Sequence, residues 1–410
     1  MKWYYGLPSV LMGVSIALLQ PQAVTAICSN NQVDAIAKKI TVLVLISGAK
    51  NGSGSGIIIQ RNGNTYTVLT AYHVVKDPNS QYQIVTPDGQ HYRVNYQTVK
   101  QPTNNIDSAV LQFTSNQNYP VAKIGNSDTV KRLTNIYLAG FPGKRGGVRV
   151  PPVYDCRDGQ VIANATQTIV EDGYTLFHKS SARPGMSGGA VLNEQGEVIG
   201  IFGKGENPSF ETVRGAGRNY SIPINTFIKL SAGVGVNLGI SLPDVPNAGT
   251  PQADDYLVQA DYKLHKRDYS GAIAAYNEVI RLNPNYAEAL LYRNRGSSYY
   301  ALGDTQAAIA DFNEAIKINP DDAKAYAVRG IARYKLGDRR AAIRDFNEVI
   351  KINPDDARSY AGRGIARYEL GDKQGAIADL KTAANLSAQQ GNKKLYQKVS
   401  ELLRIFQRYF

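Results

Sequence analysis

The last two-fifths of this 410-residue chain repeat themselves. Gly303-Asp304, Gly337-Asp338 and Gly371-Asp372 stand 34 residues apart, and each precedes an Ala-Ile pair (Ala308-Ile309, Ala342-Ile343, Ala376-Ile377). An earlier copy, Asp268 to Ile273, lies 36 residues before the next, which predicts two inserted residues near Leu290–Arg293. Apolar residues recur at helical spacing, and such a period commits a chain to stacked helix pairs, because one pair cannot bury its own apolar face. Pro284, Pro320 and Pro354 close the first three units. Gly296, Gly330 and Gly364 on one helix, and Ala272, Ala308, Ala342 and Ala376 on the next, allow close approach. Tyr276, Phe312, Phe346 and Leu380 fill the space between. The fourth unit lacks its terminal proline and runs into residues 391–410, read as a helix capping the open end.

The first 235 residues follow another rule. Thr41–Gly48, Ile57–Ile59, Tyr66–Thr70, Tyr82–Val85, Tyr92–Tyr96, Ser108–Phe113, Asn135–Ala139, Gln160–Ala163, Thr175–Phe177, Ala190–Leu192 and Val198–Phe202 are short β-rich runs separated by Gly, Asn, Asp and Pro. Many short strands with turn residues between them predict an all-β barrel or sandwich. Ser231–Asp254 is rich in Gly, Pro, Ala and Asn and reads as an interdomain linker.

Within the β region, Arg183-Pro184-Gly185-Met186-Ser187-Gly188-Gly189-Ala190 sets one serine in a glycine-rich loop just before a strand. A serine hydroxyl needs a base beside it to act as a nucleophile, and the oxyanion it creates needs backbone N–H donors. Two further stretches supply the partners: Leu69-Thr70-Ala71-Tyr72-His73-Val74 and Asn105-Ile106-Asp107-Ser108-Ala109. His73, Asp107 and Ser187 follow one another in the order His, Asp, Ser, one of several orders in which such triads are built.

These three stretches resemble the trypsin/chymotrypsin-like serine peptidases, and the 34-residue units resemble tetratricopeptide repeats. The first resemblance is closest to bacterial secreted and envelope types, including the high-temperature-requirement and glutamyl-endopeptidase kinds. It implies two six-stranded β-barrels with the site in the cleft between them. His73 would be general base, Asp107 its orienting partner and Ser187 the nucleophile, with the N–H groups of Gly185 and Ser187 as oxyanion hole. It also implies a substrate pocket at Ser181, Ile201, Phe202 and Gly203. The neutral Ser181 disfavours Arg or Lys, and His178 is an alternative reader of acidic side chains. Tyr72 and Met186 depart from the commoner family residues. The second resemblance implies a groove for a protein or peptide, with Asn294, Lys324, Lys335, Arg358 and Glu369 towards it and Arg329 and Arg363 between repeats.

Charge adds an exclusion. The net charge is +12, but no Lys/Arg run exceeds two residues, so the sequence reads as a mildly basic surface and not a nucleic-acid stripe. Lys2, an apolar run from Leu7 to Leu19 and the small residues Val24-Thr25-Ala26 read as a cleaved secretory signal, too short for a membrane span. Only Cys28 and Cys156 are present. An oxidising compartment permits their pairing, and the sequence leaves open whether they meet. No metal-ligand cluster or cofactor motif appears. The expected layout is a signal peptide over 1–26, an all-β trypsin-like domain over 27–235, a linker over 236–253, four all-α repeats over 254–390 and a cap over 391–410. The expected function is that of a secreted or periplasmic serine endopeptidase whose repeats recruit a protein. The alternative is a protease-fold scaffold or chaperone that acts by binding.

Overall fold

The computed structural model describes residues 28–48, 51–103, 105–145, 148–149, 152–166, 170, 172–205, 218–239, 251–286 and 288–408. The expected signal segment 1–26 and most of the expected linker, 240–250, lie outside the described residues.

Helix α1 (Asn31–Ile40) starts at Asn30, whose side chain accepts from the N–H groups of Gln32 and Val33, and runs straight into β1 (Thr41–Ser47). Strands β2 (Gly52–Asn62) and β3 (Thr65–Thr70) follow, then the single helical turn α2 (Tyr72–Val75). After these come β4 (Gln81–Val85), β5 (His91–Arg93) and β6 (Ala109–Thr114). These strands form one antiparallel sheet in the order β5-β4-β1-β2-β3-β6. The expected first barrel is thus a curled sheet without a β5–β6 ladder among the described residues. Strand β5 is only three residues long, and the chain leaves it through a 3-10 turn at Tyr96–Thr98. Lys100 then makes an isolated bridge to Val110 on β6. Inside the sheet, Val42, Val44, Ile58, Val68 and Leu111 pack with Tyr66, Phe113 and Tyr119.

The second half is closed. Strands β7 (Asn135–Gly140), β10 (Asp155–Asn164), β11 (Leu176–Ser180), β12 (Ala190–Leu192), β13 (Val198–Gly205) and β14 (Asn219–Pro223) form a barrel in the order β10-β11-β14-β13-β12-β7. A two-residue ribbon of β8 (Lys144–Arg145) and β9 (Val148–Arg149) stands apart, and α3 (Ile224–Leu230) follows the last strand. Ile136, Leu138, Leu176, Val191, Ile199 and Phe202 fill the interior. A separate core lies between the two halves: Ile57, Leu69 and Val110 from the first meet Ala139, Ala190, Ile201 and Ile222 from the second, under Val33, Ala37 and Ile40 of α1. Each fully buried aliphatic side chain there stabilises by about 1.5–3 kcal/mol, so α1 joins the two halves. Cys28, just before α1, is disulfide-bonded to Cys156 on β10, with the Cα atoms 5.1 Å apart. Val234 and Val236 are also buried in this core, with Leu238 packed against it. The packed fold therefore runs past residue 235, because alternate apolar side chains hide within the Gly-rich composition.

The repeats form antiparallel helix pairs: α4 (Ala253–His265) with α5 (Tyr269–Leu282), α6 (Ala289–Leu302) with α7 (Thr305–Ile318), α8 (Ala323–Lys335) with α9 (Arg339–Ile352), and α10 (Ala357–Glu369) with α11 (Lys373–Gln389). Helix α12 (Lys393–Arg408) covers the last pair, with Val399 and Phe406 buried. The Gly-Asp dipeptides are the punctuation. Gly303, Gly337 and Gly371 stop one helix at φ +94, +91 and +87, and Asp304, Asp338 and Asp372 cap the next through their side chains. Close approach is real: a Cβ on Gly296 would sit 2.8 Å from the Phe312 ring. Between repeats, Arg295, Arg329 and Arg363 each grip an aspartate of their own pair (Asp311, Asp345, Asp379) and an asparagine of the preceding one (Asn277, Asn313, Asn347).

The two extra residues fall elsewhere than expected. They lie in the loop before α6, which occupies residues 283–288, whereas the matching loops occupy 319–322 and 353–356. Their use is visible. Tyr286 from this loop is buried against the second barrel and donates to the Ile162 carbonyl of β10 (2.9 Å), with Arg132 stacked on its ring at 4.2 Å. Glu288 accepts from Arg218 at 2.8 Å, and Asp261 of α4 takes the other arm of the same fully buried guanidinium. Asp254 accepts from the Asn164 N–H at 2.9 Å. Around these polar contacts, Ile162, Ala163 and Phe177 share one apolar core with Leu257, Tyr276 and Leu291.

Candidate active site

His73 sits on α2, the single turn that follows β3, and Asp107 just before β6, the strand that pairs with β3. That pairing brings the two side chains together. His73 Nδ1 lies 2.6 Å from Asp107 Oδ2, and the His73 N–H donates to Asp107 Oδ1 at 2.7 Å. Gripped twice, the carboxylate fixes both the position and the tautomer of the ring, with Nδ1 as the donor and Nε2 left as acceptor. Burial pushes the Asp107 carboxyl up, but the His73 hydrogen bonds and charge, together with a donor from Tyr174, outweigh it and hold the group below the usual carboxylate range. The His73 side chain keeps 39% of its surface exposed, so a reactant can reach it.

Ser187 approaches from the second barrel. The Met186 N–H bonds back to the Arg183 carbonyl at 3.1 Å, and Gly185 and Gly188 take φ +101 and +85. No side chain fits at Gly188, where a Cβ would run into the Ser55 carbonyl and the Thr70 hydroxyl. Met186 is buried in the barrel interior, which anchors the loop and leaves the next residue at the cleft. The unusual methionine is therefore a core residue. Ser55 holds the loop from the first half: its N–H donates to the Ser187 carbonyl (2.7 Å) and its hydroxyl to the Gly185 carbonyl (3.0 Å). Neither the Gly185 nor the Ser187 N–H donates to an acceptor among the described residues.

The Ser187 hydroxyl donates to the Gly203 carbonyl at 2.8 Å, and no hydrogen bond joins it to His73. Gly203 lies where the β13–β14 register shifts, between Phe202 and Lys204. A bulge re-aims the main chain, and here it turns that carbonyl to the serine.

Of the four expected pocket residues only Ser181 is exposed. Ile201 and Phe202 do not line an open pocket. Strand β13 is paired on both sides, so its alternating side chains enter two cores: Ile201 between the halves, Phe202 inside the barrel. Gly203 is buried under the ring of Tyr174. His178 does not reach a pocket either. It is wholly buried, bonded to Ser221 (2.9 Å) and Ser180 (3.2 Å), and burial lowers its pKa to about 3. In the groove set, Asn294 reaches Asp261 (3.4 Å), Lys335 lies over Tyr300 (4.8 Å), and Glu369 is held by Arg339 (2.6 Å) and Tyr334. Cys28, Asp34 and Cys156 come together, but the disulfide removes both thiolates a metal would use.

Comparison with known proteins matches the trypsin-like peptidase domain over residues 54–201, and tetratricopeptide-repeat models over 296–337 and 328–391. The magnetosome formation protease MamE of Magnetospirillum gryphiswaldense is 28% identical over 184 residues, 42% of this chain and 21% of that protein. The serine protease Do-like HtrA of Lactococcus lactis subsp. cremoris is 30% identical over 160 residues, 37% of each. This chain therefore spans between a fifth and two-fifths of these relatives. A solved HtrA-type protease, AlgW with tripeptide, aligns with 50% of this chain and 63% of its own at 22% identity and a TM-score of 0.40. No described helix is long and apolar enough to cross a membrane. The chain joins a trypsin-like peptidase domain to a C-terminal run of tetratricopeptide repeats.

Proposed function

We propose that the protein is an exported serine endopeptidase whose repeats hold a protein substrate or partner. The observation that carries this reading is the His73–Asp107 pair, with two carboxylate oxygens on one histidine, beside a serine in a glycine-shaped loop whose Gly185 and Ser187 N–H groups meet no acceptor among the described residues. In the reaction, Ser187 turns from the Gly203 carbonyl to His73. Its proton passes to Nε2 as Oγ attacks the peptide carbonyl carbon. The oxyanion takes hydrogen bonds from Gly185 and Ser187 N–H, and the C–N bond breaks as Nε2 returns the proton to the leaving amine. Water, deprotonated by the same nitrogen, then hydrolyses the acyl ester. Residues 1–26 would direct export and be removed.

Labelling of the full mature chain with a fluorophosphonate tests the reading. Covalent modification at Ser187, lost in Ser187→Ala and reduced at least about a hundredfold in His73→Ala, is the expected result. The scaffold reading has one observation in its favour: the serine hydroxyl is engaged by Gly203 and not by His73. A folded protein that never labels would select it.

A further inference from the structure

Tyr174 has no place in the sequence pattern, yet it touches both ends of the site. It lies between Gly173 and β11, and only 5% of it is exposed. Its hydroxyl donates to Asp107 Oδ2, the same oxygen that faces His73 Nδ1. Its ring fills the space over Gly203, where any side chain would collide with it. Burial and then the Asp107 charge push the phenol far above its ordinary value, so it stays a protonated donor.

The chain is bent to bring it there. Asp172 and Gly173 take φ +74 and +77 in succession, a conformation that L side chains avoid and aspartate tolerates best after asparagine and glycine. Main-chain bonds fasten this bend to the first half of the domain: the Asp107 N–H donates to the Asp172 carbonyl at 3.0 Å, and the Asp172 N–H to the Asn105 carbonyl at 2.6 Å. The Asp107 loop and the Tyr174 loop, one from each half, are thus one unit. Among the described residues, the other charged groups facing Tyr174 are Asp172 and Lys204; the Lys204 ammonium sits 4.6 Å from the ring centre and 3.7 Å from the Asp172 carboxylate.

We propose that Tyr174 is a positioning residue of the peptidase site, orienting Asp107 through its hydroxyl and backing the Gly203 bulge with its ring. This rests on the peptidase reading for its consequence in catalysis, but its geometry stands without it. Removing the hydroxyl leaves one carboxylate oxygen with a single donor. The less satisfied carboxylate then stabilises the His73 imidazolium more strongly, and the base becomes harder to deprotonate.

Tyr174→Phe is the variant that tests this, because it keeps the ring. We expect it to melt within a few degrees of the wild type and to label with fluorophosphonate about tenfold more slowly, the loss expected for one hydrogen bond to a charged group. The acid limb of the labelling rate should move to higher pH. The His73 imidazole is also titrated by NMR in the Ser187→Ala background, with and without Tyr174→Phe, where activity plays no part. A raised His73 pKa in the Phe variant supports the proposal. An unchanged titration overturns it, whatever the labelling shows. A raised titration in a chain whose Ser187 never labels keeps the role of Tyr174 and removes the peptidase reading alone.

Discussion

The candidate serine, histidine and aspartate are legible in the sequence because each carries its own local signal: glycines around Ser187, a strand end before His73, a strand start after Asp107. Tyr174 carries none. What gives it a role is a bend of two left-handed residues and the packing of its ring over Gly203, neither of which can be read one-dimensionally. Ile201 and Phe202 are buried for a related reason, since an apolar strand flanked on both sides sends alternate side chains into two cores. Two predictions belong at this scale. Gly188→Ala forces a Cβ into the Ser55 carbonyl at φ +85, and should cost about 3 kcal/mol or more in a urea titration. His178 is neutral in the fold down to about pH 3, whereas an unfolded histidine takes up a proton near 6.5. Its contribution to stability is therefore full above about pH 6.5 and falls by about 1.4 kcal/mol per pH unit below it, until about pH 3. Urea midpoints at pH 7.5 and 5 should drop less in His178→Gln than in the wild type.

At the scale of elements, the strands were readable from β-rich runs between turn residues, and the helices from the 34-residue period. Others were not, α1 and β14 among them. Helix α1 carries its apolar stripe, Val33, Ile36, Ala37 and Ile40, over only ten residues, and it passes into β1 with no turn residue between. Strand β14 reads Asn-Tyr-Ser-Ile-Pro, a mostly polar run whose burial comes from its place in a closed barrel. The disulfide pins α1 across a sequence separation of 128 residues. Replacing both cysteines with serine should lower stability by about 2–5 kcal/mol, and a reductant should lower the wild-type melting temperature but not that of the double variant. In the repeats, Arg329 spans two helix pairs through Asp345 and Asn313, so Arg329→Ala leaves a nearly buried aspartate with one fewer partner. About 1–3 kcal/mol should be lost in that variant, read by thermal melting, while exposed Arg340→Ala changes little.

For the whole molecule, the sequence showed that two residues had been added to the first repeat and misplaced them by a few positions. Their effect, a joint between repeat and barrel, involves Arg218, which no repeat pattern contains. Arg218→Ala would strand Asp261 and Glu288 as buried anions, at about 3–5 kcal/mol. Calorimetry of the variant should show the repeats melting apart from the barrels, where the wild type shows the first repeat melting with them.

The joint also decides where this protein can be divided. A cut at the proline-rich stretch before Ala253 looks natural on paper, yet it would slice through a shared apolar core and expose Ile162, Phe177, Leu257 and Tyr276 at once. The seam between modules lies beyond the longer loop and the Leu291 contact on α6, at the 319–322 turn between α7 and α8 or later. An exchange of arrays between such proteins would keep its footing only if the first two helix pairs, with the longer loop between them, stayed behind as part of the peptidase.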